Sequence, residues 1–128
     1  MIKLIHVDDD PDVREIVDIS LGLSGEFVVL QCETGEDALA QMGPYGPDVL
    51  LFDIMLPGMS GAQTLAEARK QPEFRDIPAI YMTGKTDAAA LRAYKEAGIN
   101  GVIAKPFDPM TIADEIKRLM RTPVKVDA

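Results

Sequence analysis

Five short apolar runs, each followed by a segment with helical spacing, constrain this chain more than any other feature. The runs are Ile2–Val7, 27–30, 49–52, 77–82 and Gly101–Ala104, all of strand length and several β-branched. Pro47, Pro78 and Gly98 punctuate three of them. Asp10 and Pro11 open the first helical segment, an Asp that can cap and a Pro at the first helical position. Val13, Ile16, Val17 and Leu21 then keep a three-to-four spacing until Gly22 or Gly25. Further helices are predicted over 35–42 (ended by Gly43 and Pro44), 61–70 (stopped before Pro72), 86–97 (closed by Gly98) and 108–120. The last begins at Asp108 and Pro109 and carries Ile112, Ile116, Leu119 and Met120 as its apolar stripe. Strict alternation of this kind predicts an α/β domain with a parallel sheet. The runs are continuously apolar rather than alternating, as strands covered on both faces must be.

A length of 128 residues suits one domain, predicted over 1–121, with 122–128 as a short loose tail. The net charge of −8 argues against a nucleic-acid or anionic-membrane partner. The single cysteine, Cys32, excludes an internal disulfide framework and reads as a small hydrophobe at a strand end. The apolar start meets three aspartates by Asp10, so it is neither a signal peptide nor a membrane span. A cytoplasmic location is the expectation.

Chemistry gathers where the runs end. Asp8, Asp9 and Asp10 follow the first, Asp53 the third, Thr83 the fourth and Lys105 the fifth. In a parallel sheet these positions share the carboxyl edge, where open α/β folds bind ligands. Converging carboxylates repel: a pair ~4 Å apart at an effective dielectric of ~20 costs on the order of 4 kcal/mol. A small hard cation relieves that cost, and Mg²⁺ favours one or two carboxylates, waters and a phosphate oxygen. Lys105 adds positive charge that can pair with Asp53 or grip a phosphoryl oxygen, and Thr83 adds a hydroxyl donor. An Asp neutralised in this way is a feasible nucleophile towards phosphorus.

The stretches V-D-D-D-P at 7–11, D-I-M-L-P-G-M-S-G at 53–61, M-T-G at 82–84, A-G-I-N-G at 97–101 and K-P-F at 105–107 together resemble the receiver domain of two-component response regulators. The likeness runs over essentially the whole chain and is nearest the chemotaxis-type, single-domain kind. It implies a doubly wound, flavodoxin-like fold with five parallel strands in the order 2-1-3-4-5 and helices on both faces. It also implies roles. Asp53 would accept a phosphoryl group from a sensor histidine kinase or a histidine phosphotransfer protein. Asp8, Asp9, Asp53 and the Met55 backbone carbonyl would hold Mg²⁺, while Thr83 and Lys105 would bind phosphoryl oxygens. Pro57 and Gly61 would shape the loop after Asp53, and Lys105–Pro106 would be a cis peptide. The output partner would meet a face built from the fourth helix, fifth strand and fifth helix. No conventional turnover of an external substrate is expected.

Two positions depart from the family pattern. Val102 stands where receivers often carry an aromatic, three residues before the lysine, so the usual coupling of threonine to aromatic has no second member. Gly84 stands where a small residue such as Ala is common. Met55 and Lys85 flank the phosphoryl position. His6 reads as a packed histidine, since no Cys or second His accompanies it. Met59 is a candidate contact, and Leu91 or Tyr94 on the fourth helix should face outward towards a partner. Two rival readings fit less well. Asp8-x-Asp10 mimics the D-x-D of a haloacid-dehalogenase-type phosphatase but leaves Asp53 unexplained. A flavin-binding module would need a phosphate loop that is not triply acidic.

Overall fold

A computed structural model describes residues 1–123; residues 124–128, most of the predicted tail, lie outside the described residues. Thr122, also assigned to the tail, donates its N–H to the Leu119 carbonyl, and its own carbonyl accepts from Asn100 Nδ2. The chain alternates β1 (Ile2–Val7), α1 (Pro11–Ser24), β2 (Phe27–Cys32), α2 (Gly35–Tyr45), β3 (Val49–Asp53), α3 (Gly61–Arg69), a 3₁₀ turn (Pro72–Phe74), β4 (Ala79–Thr83), α4 (Ala88–Glu96), β5 (Gly101–Ala104) and α5 (Ile112–Met120). The strands form one parallel sheet in the order β2-β1-β3-β4-β5, the predicted topology.

Every residue of β3 and β4 is buried, which explains why their sequences carry no polar alternation. One face of the sheet packs Ile5, Val7, Leu50, Phe52 and Tyr81 with Ala38, Met42, Leu65 and Ala68 of α2 and α3. The other packs Leu4, Leu51, Ile80, Met82 and Ile103 with Val17 and Leu21 of α1 and Ile112, Ile116 and Leu119 of α5. Each Val, Leu, Ile, Phe or Met among these contributes roughly 1.5–3 kcal/mol by leaving water, and the two layers clamp the sheet between them.

Several element boundaries depart from expectation, β2 running on to Cys32 among them, and four have a local reason. α2 runs through Gly43 and Pro44 to Tyr45, where Gly46 takes φ 67° and ends it. Proline in a last turn loses one hydrogen bond, and the Tyr45 hydroxyl offsets that by donating to the Val28 carbonyl across the sheet edge. α5 begins at Ile112 rather than 108, because the Asp108 carboxylate accepts the Met110 N–H in a separate turn. β4 starts at Ala79, since Pro78 has no N–H to give; its carbonyl instead accepts from Leu50. α4 starts at Ala88, where the Asp87 carboxylate caps the Ala90 N–H.

Candidate functional site

Strand register builds the site. Val7 lies beside Phe52, so the next residues out, Asp8 and Asp53, leave adjacent strands side by side. Asp53 lies beside Met82 and Thr83 beside Ala104, which brings Thr83 and Lys105 to the same edge. The Lys105 N–H donates to the Thr83 carbonyl at 2.9 Å, extending the ladder to the lysine itself. The Lys105–Pro106 peptide is cis.

Lys105 Nζ donates to Asp8 Oδ2 at 2.7 Å and to Asp53 Oδ2 at 3.1 Å, so one ammonium bridges two buried carboxylates. Asp8, Asp9 and Asp53 each present an oxygen within 4.8 Å of the others. These all-oxygen donors, two of them buried, match the preference of a small hard divalent cation. Burial raises the Asp53 carboxyl above its ordinary 3.8; the Lys105 bond and charge pull it back and Asp8 pushes it up again. Burial would lower the Lys105 ammonium, but its bonds to Asp8 and Asp53 outweigh that and raise it.

The surrounding loops fix these groups through backbone bonds. Asp8 Oδ1 accepts the Asp10 N–H, and the Asp8 carbonyl accepts from Arg14 at 2.7 Å. Asp10 caps α1 at Asp12, the structural role its sequence context suggested. Asp53 Oδ1 accepts the Met55 N–H at 3.2 Å; the Met55 side chain is exposed. Beyond it, Gly58 takes φ 72°, the Met59 N–H donates to Glu36 Oε1, and Ser60 and Gln63 form a capping box for α3. Gly61 is required by contact: a Cβ there would overlap the Asp53 carbonyl. Thr83 is buried and its Oγ1 accepts the Lys85 N–H at 3.1 Å.

His6 is packed, as expected. Its Nδ1 pairs with Gln31 Oε1 at 2.6 Å, and burial lowers its pKa to about 4. Cys32 is buried, and its thiol is pushed up to about 11. Leu91 faces outward, whereas Tyr94 is half-buried with its ring edge-on to Tyr81. A cavity of about 640 Å³ lies away from the carboxylates, lined by Leu91, Arg92, Tyr94 and Lys95 of α4 with Ile99 and Val102. Sequence reasoning missed Arg14, Glu36 and the Tyr81–Tyr94 pair. Helix spacing could have placed Arg14 one turn after Asp10; nothing in the sequence aligns Glu36 with the loop after Asp53.

Residues 4–117 match the response regulator receiver domain family. The chain is 32% identical over 119 residues to the phosphate regulon transcriptional regulatory protein PhoB of Escherichia coli, covering 93% of this chain and 52% of that one. It thus spans about half the length of the curated relatives it matches. The chemotaxis response regulator CheY4 of Vibrio cholerae superposes with a TM-score of 0.86 at 28% identity, covering 93% of this chain and 98% of that one. The beryllofluoride-activated DrrB receiver domain superposes at 0.79 and 29% identity, over 93% and 97%.

Proposed function

Since the chain belongs to the response regulator receiver domain family of two-component systems, we propose that Asp53 is its phosphoacceptor and that phosphorylation there switches a partner-binding face. The observation that carries this reading is the Lys105 ammonium shared by the buried carboxylates of Asp8 and Asp53. It keeps Asp53 paired yet leaves one of its oxygens, Oδ1, held among the described residues only by the Met55 N–H.

Asp8, Asp9 and Asp53, with the Met55 carbonyl, would hold Mg²⁺, which supplies charge neutralisation between the acids and the incoming phosphoryl oxygens. An Asp53 oxygen forms the bond to phosphorus as the phosphorus–nitrogen bond of a phosphohistidine breaks, leaving its electron pair on the imidazole. Lys105 binds a phosphoryl oxygen in place of part of its contact with Asp53, and the Thr83 hydroxyl donates to another. The donor is a sensor histidine kinase or a histidine phosphotransfer protein. The exposed Leu91 and the cavity between α4 and β5 fit an output face made by α4, β5 and α5. Nothing in the site favours the phosphatase reading.

Incubation with acetyl phosphate and Mg²⁺, followed by intact mass, tests the proposal. One added phosphoryl group is expected in the wild type and none in Asp53→Asn. Absence of any adduct at saturating Mg²⁺ would remove it.

A further inference from the structure

A line of contacts leaves Thr83 and ends on one side chain of α4. Thr83 Oγ1 accepts the Lys85 N–H at 3.1 Å, and the Lys85 carbonyl accepts the Tyr94 hydroxyl at 3.1 Å. A second line runs within the sheet. Tyr81 lies two residues before Thr83 on β4, so both side chains project to the same face. Its ring meets the Tyr94 ring edge-on, centroids 5.5 Å apart at 90°. The Tyr81 hydroxyl is buried with no hydrogen-bond partner among the described residues. Both lines converge on Tyr94, which also lines the α4 cavity. Val102 lines the same cavity and has no polar side-chain atom to offer Thr83.

We infer that Tyr94 is a positioning residue coupling Thr83 to the α4 cavity: its phenol holds the turn from Thr83 to Lys85 in the unphosphorylated form and is released when Thr83 turns to a phosphoryl oxygen. The inference rests on Asp53 being the phosphoacceptor. Both bonds of the first line use backbone atoms of Lys85, its N–H in one peptide and its carbonyl in the next, so a shift at the Thr83 hydroxyl reaches the acceptor of Tyr94 through the Lys85 Cα. Gly84, between them, has open space where a Cβ would stand. Release swings a large ring in the cavity wall. Reciprocity follows: whatever fills the cavity against the released ring must also favour the phosphorylated form.

Beryllofluoride with Mg²⁺, a mimic of the phosphoryl group, provides the test, read by amide NMR. In the wild type, Thr83, Lys85 and the α4 amides from Ala88 to Tyr94 should shift together. Tyr94→Phe keeps the ring and deletes the hydroxyl, which removes a bond present only in the unphosphorylated form. It should bind beryllofluoride about fivefold more tightly, the factor for one neutral hydrogen bond. Its α4 amides should sit near the bound wild-type positions before beryllofluoride is added. Lys85→Ala keeps both backbone bonds and should keep the α4 response. Unchanged affinity with full α4 shifts in Tyr94→Phe overturns the inference, as does weaker binding. Loss of the α4 response in Lys85→Ala overturns it too, by assigning the effect to the lysine side chain. No wild-type response at Thr83 removes both the inference and the phosphoacceptor reading beneath it.

Discussion

Lys105 is shared between two carboxylates, and that sharing governs how Asp53 titrates. Burial disfavours the charged carboxylate, Lys105 favours it, and Asp8 disfavours it again, with burial the largest of the three. In the metal-free protein the Asp53 carboxyl carbon should therefore titrate above 3.8, and in Lys105→Ala it should titrate higher still. A ¹³C pH titration reads both values directly, and an unshifted midpoint in Lys105→Ala would mean the ammonium does not act on Asp53. The sign for stability follows. A carboxyl that holds its proton more tightly when folded penalises the folded state at neutral pH, and the penalty fades as pH falls through the folded value. These residues were legible from sequence because strand ends bring them together whatever the loops do. The pairing of Arg14 with the Asp8 carbonyl and of Glu36 with Met59 was not legible, since each depends on where a helix is set down beside a loop.

At the scale of elements, β5 was legible to the residue and α2 and α5 were not. Gly101–Ala104 ends just before the cis Lys105–Pro106 peptide, whereas Pro44 is carried inside α2 as far as Gly46 and Pro109 sits in a separate Asp108 turn before α5. Two glycines test the packing between elements. A Cβ on Gly61, at the start of α3, would meet the Asp53 carbonyl and the Ile54 Cα, which are backbone and cannot yield. A Cβ on Gly101, in β5, would meet the Leu119 side chain first, which can change rotamer. Gly61→Ala should cost about 3 kcal/mol and Gly101→Ala about 1 kcal/mol in urea unfolding, the upper and lower ends of the usual cost of overpacking. Gly61→Ala should also slow phosphorylation, because it displaces the strand end that carries Asp53. Equal costs would show that the α3 start relaxes as readily as a leucine.

For the whole molecule, the carboxylate edge sets a conflict between folding and function. The sheet brings Asp8, Asp9 and Asp53 together only in the folded chain, so their repulsion is a cost of folding that Lys105 offsets in part. Removing one charge should then stabilise the metal-free protein. Asp53→Asn is expected to gain about 1 kcal/mol without Mg²⁺, a rise of roughly 4 °C in Tm. A cation that binds the folded cluster and not the unfolded chain reverses the order by mass action. Stabilisation grows as RT ln(1 + [Mg²⁺]/Kd), about 2.7 kcal/mol at a hundredfold excess over Kd. The wild-type Tm should climb with the logarithm of Mg²⁺ concentration and overtake that of Asp53→Asn, which loses a ligand and climbs less. Sodium chloride at matched ionic strength screens exposed charges but cannot enter as a shared ligand, so it should leave the two curves apart. Thermal scans of both proteins across a Mg²⁺ series, with sodium controls, would reveal the crossing. Parallel curves, or a crossing reproduced by sodium, would mean that the acids at this edge are balanced by Lys105 alone and not by a bound divalent ion.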